Sequence, residues 1–318
     1  MAHQPRPSVS APNAPHAVSL KVLRLSRPSL ATQTALPATA FGNGLDIAPS
    51  ASQAYPTTDT KTSSFPLTPL LTLPSAFGAA YVGETFTCTL CANNEVQEGQ
   101  GRAVSGVKIV AELQTPSDQT PQALELSAAD GLDHIDGADI PPASTLQRTL
   151  RHELKEEGTH VLAVTITYTE TRLSEDGGAS GGRVRSFRKL YQFVAQQLIA
   201  VRSKITLRKR REKSAARQWI LEAQLENVGE QAAVLEKVWI TEREGVRSKD
   251  FNDVKVEEGV ALKVGDVEQV MFLLEETAEG SLEAEGGRVE LARLNVDWRS
   301  AMGEKGALTT GWLGRRGR

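Results

Sequence analysis

The 318-residue sequence predicts an all-β protein: tandem immunoglobulin-like β-sandwiches with a disordered N-terminal tail and a disordered insertion. Three observations carry this. Apolar residues recur at every second position in short runs, the spacing that lines one face of a strand. Clusters of Gly, Asn, Asp and Ser separate those runs, as turns require. Eleven of the fifteen prolines precede residue 75 and none follows Pro142, which divides a loose front from a folded body.

Residues 1–16 and 31–66 are rich in Pro, Ser, Thr and Ala with no sustained period. Such segments bury too little apolar surface to offset the entropy of ordering them, so both are expected to be disordered. Between them, Leu20-Lys21-Val22-Leu23-Arg24-Leu25 alternates, slips by one at Val22-Leu23 and alternates again, which predicts a strand with a bulge. Phe86, Cys88, Leu90 and Ala92 share one face of the next strand, and Val107, Ile109, Ala111 and Leu113 share another. His160, Leu162, Val164, Ile166 and Tyr168 form the clearest stripe of all. Loop chemistry fills Ser127 to Gly137 and Ser174 to Gly182.

The same grammar returns after residue 195. Trp219, Leu221, Ala223 and Leu225 alternate, then Val270, Phe272 and Leu274, then Ala292, Leu294, Val296 and Trp298 before the turn Met302-Gly303-Glu304-Lys305-Gly306. Two units are therefore expected, a first sandwich over 17–194 containing the 31–66 insertion and a second over 195–318. Ala216, Trp219, Ile220 and Ala223 also fit a helical face. The turn Glu226-Asn227-Val228-Gly229 and the β surroundings decide for a strand.

Two cysteines stand three apart, at Cys88 and Cys91. On a strand, positions an odd number apart point to opposite faces, so the pair cannot close on one zinc ion or one redox disulfide. Cys88, in phase with Phe86 and Leu90, is expected in the core and Cys91 outside it. His152-Glu153-Leu154-Lys155-Glu156-Glu157-Gly158-Thr159-His160 places two histidines among three carboxylates, but it lacks the helical H-E-x-x-H spacing that would converge both imidazoles. A metal-dependent hydrolase using His152 and His160 is the alternative it raises.

Lys and Arg number 36 against 39 Asp and Glu, so there is no global field directed at nucleic acid. The concentrated basic stretch is Arg202, Lys204, Arg208, Lys209, Arg210, Arg211, Lys213 and Arg217, a solvated loop that could also touch an anionic membrane weakly. Acidic stretches at 250–258 and 275–285 read as further solvated loops. No phosphate-loop, nucleophile-elbow or dinucleotide glycine motif is present, so no enzyme is expected and no catalytic, cofactor-binding or metal-ligand residue is assigned. Few cysteines and no apolar run of signal-peptide or membrane-span length predict a cytosolic chain, and oppose a secreted adhesive sandwich.

Seven segments, in order, resemble the signatures of a known family. They are Leu20–Leu30 (LKVLRLSRPSL), Leu71–Gly78 (LTLPSAFG), Val82–Phe86 (VGETF), His152–His160 (HELKEEGTH), Phe187–Phe193 (FRKLYQF), Leu221–Asn227 (LEAQLEN) and Leu294–Gly306 (LNVDWRSAMGEKG). The chain is identified by them as similar to subunit 13 of the transport protein particle (TRAPP) complex, over most of residues 17–310. That resemblance implies a non-catalytic accessory or scaffold subunit of a vesicle-tethering complex, associated with the large TRAPP III-type subunits. It further implies indirect support of Rab GTPase activation in ER–Golgi transport and autophagy, from the cytoplasmic side of Golgi membranes. Family members usually continue into another β-sandwich beyond Arg318, so the resemblance implies that a further C-terminal domain is missing here, which puts the contacts made by that domain in doubt.

Overall fold

The computed structural model describes residues 15–30, 71–74, 77–128, 137–173, 178–209, 216–252, 259–277, 282 and 288–316. Most of the expected tail, the whole 31–66 insertion, and Arg210, Arg211 and Lys213 lie outside the described residues. Every named element is a β-strand. The first half carries β1 (Val18–Arg24), β2 (Ser29–Leu30), β3 (Leu71–Thr72), β4 (Ala79–Tyr81), β5 (Thr85–Asn94), β6 (Arg102–Gln114) and β7 (Gln122–Leu124). There follow β8 (Leu126–Ala128), β9 (Thr145–Glu153), β10 (Gly158–Leu173), β11 (Ala179–Gln196), β12 (Ile199–Leu207) and β13 (Gln218–Asn227). The last are β14 (Ala233–Glu242), β15 (Val246–Asp250), β16 (Val260–Leu262), β17 (Val267–Glu276), β18 (Arg288–Ser300), β19 (Lys305–Thr309) and β20 (Leu313–Arg316).

The chain forms two compact units. One comprises Met1–Leu23, Thr87–His152 and His160–Gln192, and the other Arg24–Phe86, Glu153–Thr159 and Phe193–Arg318. In the first unit β1-β5-β9-β8 makes one sheet, and β11-β10-β6-β7 runs through a second. Alternation explains the core: Cys88, Leu90, Ala92, Val107, Ala111, Leu113, Leu150, Leu162, Val164, Ile166 and Tyr168 are all buried, while the residues between them are mostly not. β6 and β10 pair in antiparallel register from Val161↔Gln114 to Arg172↔Arg102, with an irregularity between Thr167 and Thr169. The Tyr168 hydroxyl accepts the Ala17 amide at 3.0 Å and lies 3.0 Å from His16 Nδ1, tying the start of β1 to β10.

In the second unit β12-β13-β17-β15 forms one sheet and β16-β14-β18-β19 the other, with β20 also on β18. Their inward stripes make one core from both sheets: Trp219, Leu221, Ala223 and Leu225 with Val270, Phe272 and Leu274, against Ala233, Leu235, Leu291, Leu294, Val296 and Trp298. Burying each such large side chain contributes about 1.5–3 kcal/mol. The helical alternative at 216–223 is excluded, because Trp219 pairs with Leu207 on one side and Leu274 on the other. β4 pairs in parallel with residues 194–196 of β11, and both stretches belong to this unit.

Several expectations need correction, the simplest being that Ser127 and Ala128 belong to β8 and Ala179 to Gly182 to β11 rather than to loops. The slip at Val22-Leu23 is absent from the burial pattern: Val18, Leu20 and Arg24 point inward in unbroken alternation, and Leu23 is exposed. A charged side chain therefore takes the inward position that the pattern reserved for an apolar one. The basic stretch is not a loop in its first part, since Arg202 and Lys204 sit on β12. Nor are Glu275 and Glu276 in a loop; they end β17, with Glu276 buried and bonded to Arg217, Nε to Oε2 at 2.8 Å.

Candidate functional site

Among the described residues, the strongest concentration of buried charge is in the second unit, where Arg24 ends β1. Arg24 is 3 % exposed, and burying a guanidinium is tolerable only if its donors find acceptors. They do. Nε donates to Ser26 Oγ at 3.0 Å, Nη1 donates to the carbonyls of Phe77 and of Ala79 (2.9 Å), and Nη2 donates to Glu84 Oε1 at 2.8 Å. The Phe86 ring lies 5.5 Å from the guanidinium carbon.

Glu84, also 3 % exposed, is held by its backbone as well: its amide donates to the Tyr81 carbonyl and its own carbonyl accepts the Leu154 amide at 3.0 Å. Desolvation raises its carboxyl from 4.5 to about 7, against the lowering pull of Arg24 and Arg27. Burial lowers Arg24 in turn, opposed by Glu84. A second cation, Arg27, stacks over the Tyr81 ring at 4.1 Å and donates to the Ala79 carbonyl at 2.6 Å. Arg27 has φ of 59°, a left-handed conformation that costs a non-glycine residue about 1–2 kcal/mol, and the stacking and hydrogen bond hold it there.

This cluster fixes segment 77–86 to the hairpin of β18 and β19. The Gly83 carbonyl accepts the Ala307 amide at 3.1 Å, Glu84 bridges Gly306, and the Tyr81 ring meets Trp298 edge-on at 6.2 Å. Glycine is required at two points of the join. A Cβ on Gly83, whose φ is 89°, would lie 1.9 Å from the Ala307 carbonyl oxygen, and a Cβ on Gly306 would lie 2.0 Å from the Trp298 ring. The Tyr81 hydroxyl accepts the Glu230 amide at 2.9 Å, adding the turn after β13 to the same join.

A pocket of about 200 Å³ opens beside it, with Arg24, Arg27, Ser29, Met302 and Glu304 in its lining. Glu304 Oε1 is buried without a hydrogen-bond partner, and desolvation raises this carboxyl too. Chemically the arrangement is a charged clamp with a small polar recess. Guanidinium groups stay protonated near neutral pH, so they position and bind rather than transfer protons.

The histidines do not come together as ligands. His152 is half-buried on β9 and His160 is buried on β10, in different sheets. Among the described residues no three His, Cys, Asp or Glu side chains gather so as to hold a metal ion. Cys88 is buried and Cys91 half-buried on opposite faces of β5, as alternation requires, and they form no disulfide. Sequence reasoning missed the Arg24–Glu84 pair. Its two halves are 60 positions apart, and only the inward phase of Arg24 after Val18 and Leu20 could have signalled it.

Comparison with known proteins bears out the family resemblance. Residues 16–195 match the family described as trafficking protein particle complex subunit 13, N-terminal, and residues 199–317 match its middle domain. Trafficking protein particle complex subunit 13 of Rattus norvegicus is 28 % identical over 319 residues, covering 96 % of this chain and 71 % of that protein. The probable homolog of the same subunit in Caenorhabditis elegans is 29 % identical, covering 94 % of this chain and 69 % of that protein. Among solved structures, the native conformation of E. coli alpha-2-macroglobulin aligns with a TM-score of 0.33 and 10 % identity, over 75 % of this chain and 16 % of that one. With both of its successive domains matched in order across nearly the whole sequence, the chain belongs to the trafficking protein particle complex subunit 13 family.

Proposed function

We propose that this chain is a non-catalytic scaffold subunit of the trafficking protein particle complex, of the TRAPP III type, that joins the other subunits through sheet faces and strand edges. In this role it supports Rab GTPase activation indirectly, in ER–Golgi vesicle transport and autophagy, from the cytoplasmic side of Golgi membranes. The observation that carries the reading is the ordered match to both family domains. The arrangement of the described charges supports it, since the buried Arg24–Glu84 pair is spent on backbone carbonyls and its own partner. Rigid sandwiches with short turns present loops and edges whose side chains can vary without disturbing the core. A weak anionic membrane contact through the basic stretch at 202–217 belongs to the same proposal.

Affinity purification of the tagged full chain from cells, followed by mass spectrometry, tests this. Recovery of trafficking protein particle complex subunits, with nucleotide exchange on a Rab protein reduced in complexes lacking the chain, is the expected result. A clean purification recovering none of them overturns it.

A further inference from the structure

Resting on the proposed scaffold role, we infer that the outer face of the β12-β13-β17-β15 sheet is the surface on which another subunit of the complex docks, by an apolar stripe edged with carboxylates. Register places the relevant side chains together. Thr206, Ile220 and Leu273 lie in one row across the sheet, with Lys249 opposite Leu273 on β15. The next row holds Lys204, Glu222 and Met271, and Phe251 joins it through its amide bond to the Met271 carbonyl. Val267 lies further along the same side of β17, opposite Glu226.

Ile220 and Leu273 are half-buried, but Met271, Phe251 and Val267 are 39 %, 49 % and 50 % exposed. Single exposed apolar side chains are ordinary, whereas a contiguous group on one face marks a contact surface. Methionine and aromatic residues are also the types enriched in such surfaces.

The charges around this centre are not evenly offered. Arg202 and Lys204 on one flank and Arg247 and Lys249 on the other are exposed. The face's own acids, Glu222, Glu226 and Glu275, are half-buried. Two of them are engaged from within the face: Glu226 with Arg202 at 2.8 Å, and Glu275 with the Gln218 side-chain amide at 2.8 Å. What projects outward is therefore an apolar group of Met271, Phe251, Ile220 and Leu273, with the exposed Gln224–Gln269 pair between it and Val267, and cations on both flanks, which complements an apolar stripe edged by Asp and Glu. Four strands about 4.8 Å apart span roughly 14 Å, wide enough to seat one helix of about 10 Å diameter. The cations of this face are few and partly paired with acids of the same sheet, which favours a protein surface here and leaves the weak membrane contact to the part of the 202–217 stretch beyond Lys204.

The test compares the full chain with Met271→Asp and with the double charge reversal Lys204→Glu/Lys249→Glu, by quantitative mass spectrometry of co-purified complex subunits. The wild-type chain is expected to recover the subunits and each variant to recover at least tenfold less, with unchanged circular dichroism. Should Met271→Asp fail to fold, the charge reversal alone decides, because exposed lysines leave the core untouched. Wild-type recovery matched by the charge-reversed chain overturns the inference while leaving the scaffold role standing. A wild-type chain that recovers no subunit overturns the scaffold role itself. Loss in the variants only of self-association on size exclusion, or only of binding to phosphatidylserine vesicles, with subunit recovery intact, also overturns it.

Discussion

Replacing Arg24 with Met tests how the second unit carries its buried charge. The substitution keeps an unbranched apolar stem and removes four hydrogen bonds, leaving Glu84 without its ion-pair partner and the Phe77 carbonyl without this donor. Removing one partner of a buried pair costs about 3–5 kcal/mol. A ceiling follows from Glu84 itself, which can escape by taking a proton. At pH 7.5, protonating a carboxyl whose folded value is already about 7 adds only about 0.7 kcal/mol through this residue, at about 1.4 kcal/mol per pH unit. The rest of the cost falls on the other orphaned partners of Arg24. In the wild type Glu84 ionises above about 7, whereas in the variant it stays protonated higher, so the cost should grow by about 1.4 kcal/mol per unit above pH 7 and be level below it. The assay is urea unfolding followed by tryptophan fluorescence. All four tryptophans, Trp219, Trp239, Trp298 and Trp312, belong to the second unit, so the signal reports that unit alone. With a slope of about 3 kcal/mol per molar, the midpoint should fall by about 1 M or more. A shift worth less than about 1 kcal/mol, or a cost that does not change between pH 7 and 9, would refute the assignment of Glu84 as a buried charge compensated by Arg24.

Three further outcomes are expected. Glu84→Gln should flatten the pH dependence of the wild-type midpoint: because burial raises the folded carboxyl from 4.5 to about 7, the stabilisation present below 4.5, up to about 3 kcal/mol, is lost as pH rises through 7. Glu304, raised by the same cause, leaves a residual slope of the same sign, and His16 does not intrude because it lies in the other unit. Gly83→Ala should cost about 3 kcal/mol or more in the same assay, combining left-handed strain of about 1–2 kcal/mol with a Cβ placed on the Ala307 carbonyl. In the first unit, Tyr168→Phe should leave the Ala17 amide without its acceptor, costing about 1–3 kcal/mol and speeding hydrogen exchange at Ala17 more than in the β10 core.

The apolar stripes were legible because each strand buries one face and wets the other, so the period of two survives in the sequence. His160 to Tyr168 is the best case: it lies on β10, within the sheet that also holds β11 and β6, and all five stripe residues are buried. The phase of β1 was misread for a definite reason. Leu23 is apolar and Arg24 charged, so hydropathy argues for a slip, while the backbone keeps Arg24 inward because its bonding partners, Phe77, Ala79 and Glu84, arrive from the far side of the insertion. Local pattern cannot register a partner supplied 60 positions later.

The docking face shows the same limit in another form. Two of its four cations, Arg202 and Lys204, were visible in a basic run, and that run suggested a loop, because Arg208 to Lys213 is continuous in charge and dominates any window drawn across it. Within β12 the charges alternate with Val201, Ser203 and Ile205, which is strand spacing, and only the earlier part of the run reaches the sheet. Nothing in the local sequence joins Lys204 to Met271 or Phe251. Their adjacency is a product of three registers, β12 on β13, β13 on β17 and β17 on β15, and a one-residue slip in any of them would turn one strand's outward set into the core. The buried stripe of Trp219, Leu221, Ala223 and Leu225 forbids that slip on β13, as Val270, Phe272 and Leu274 do on β17. The core residues that the sequence displays thus set the composition of a surface that it does not display. For that reason a substitution on this face should alter what the protein holds without altering how it folds.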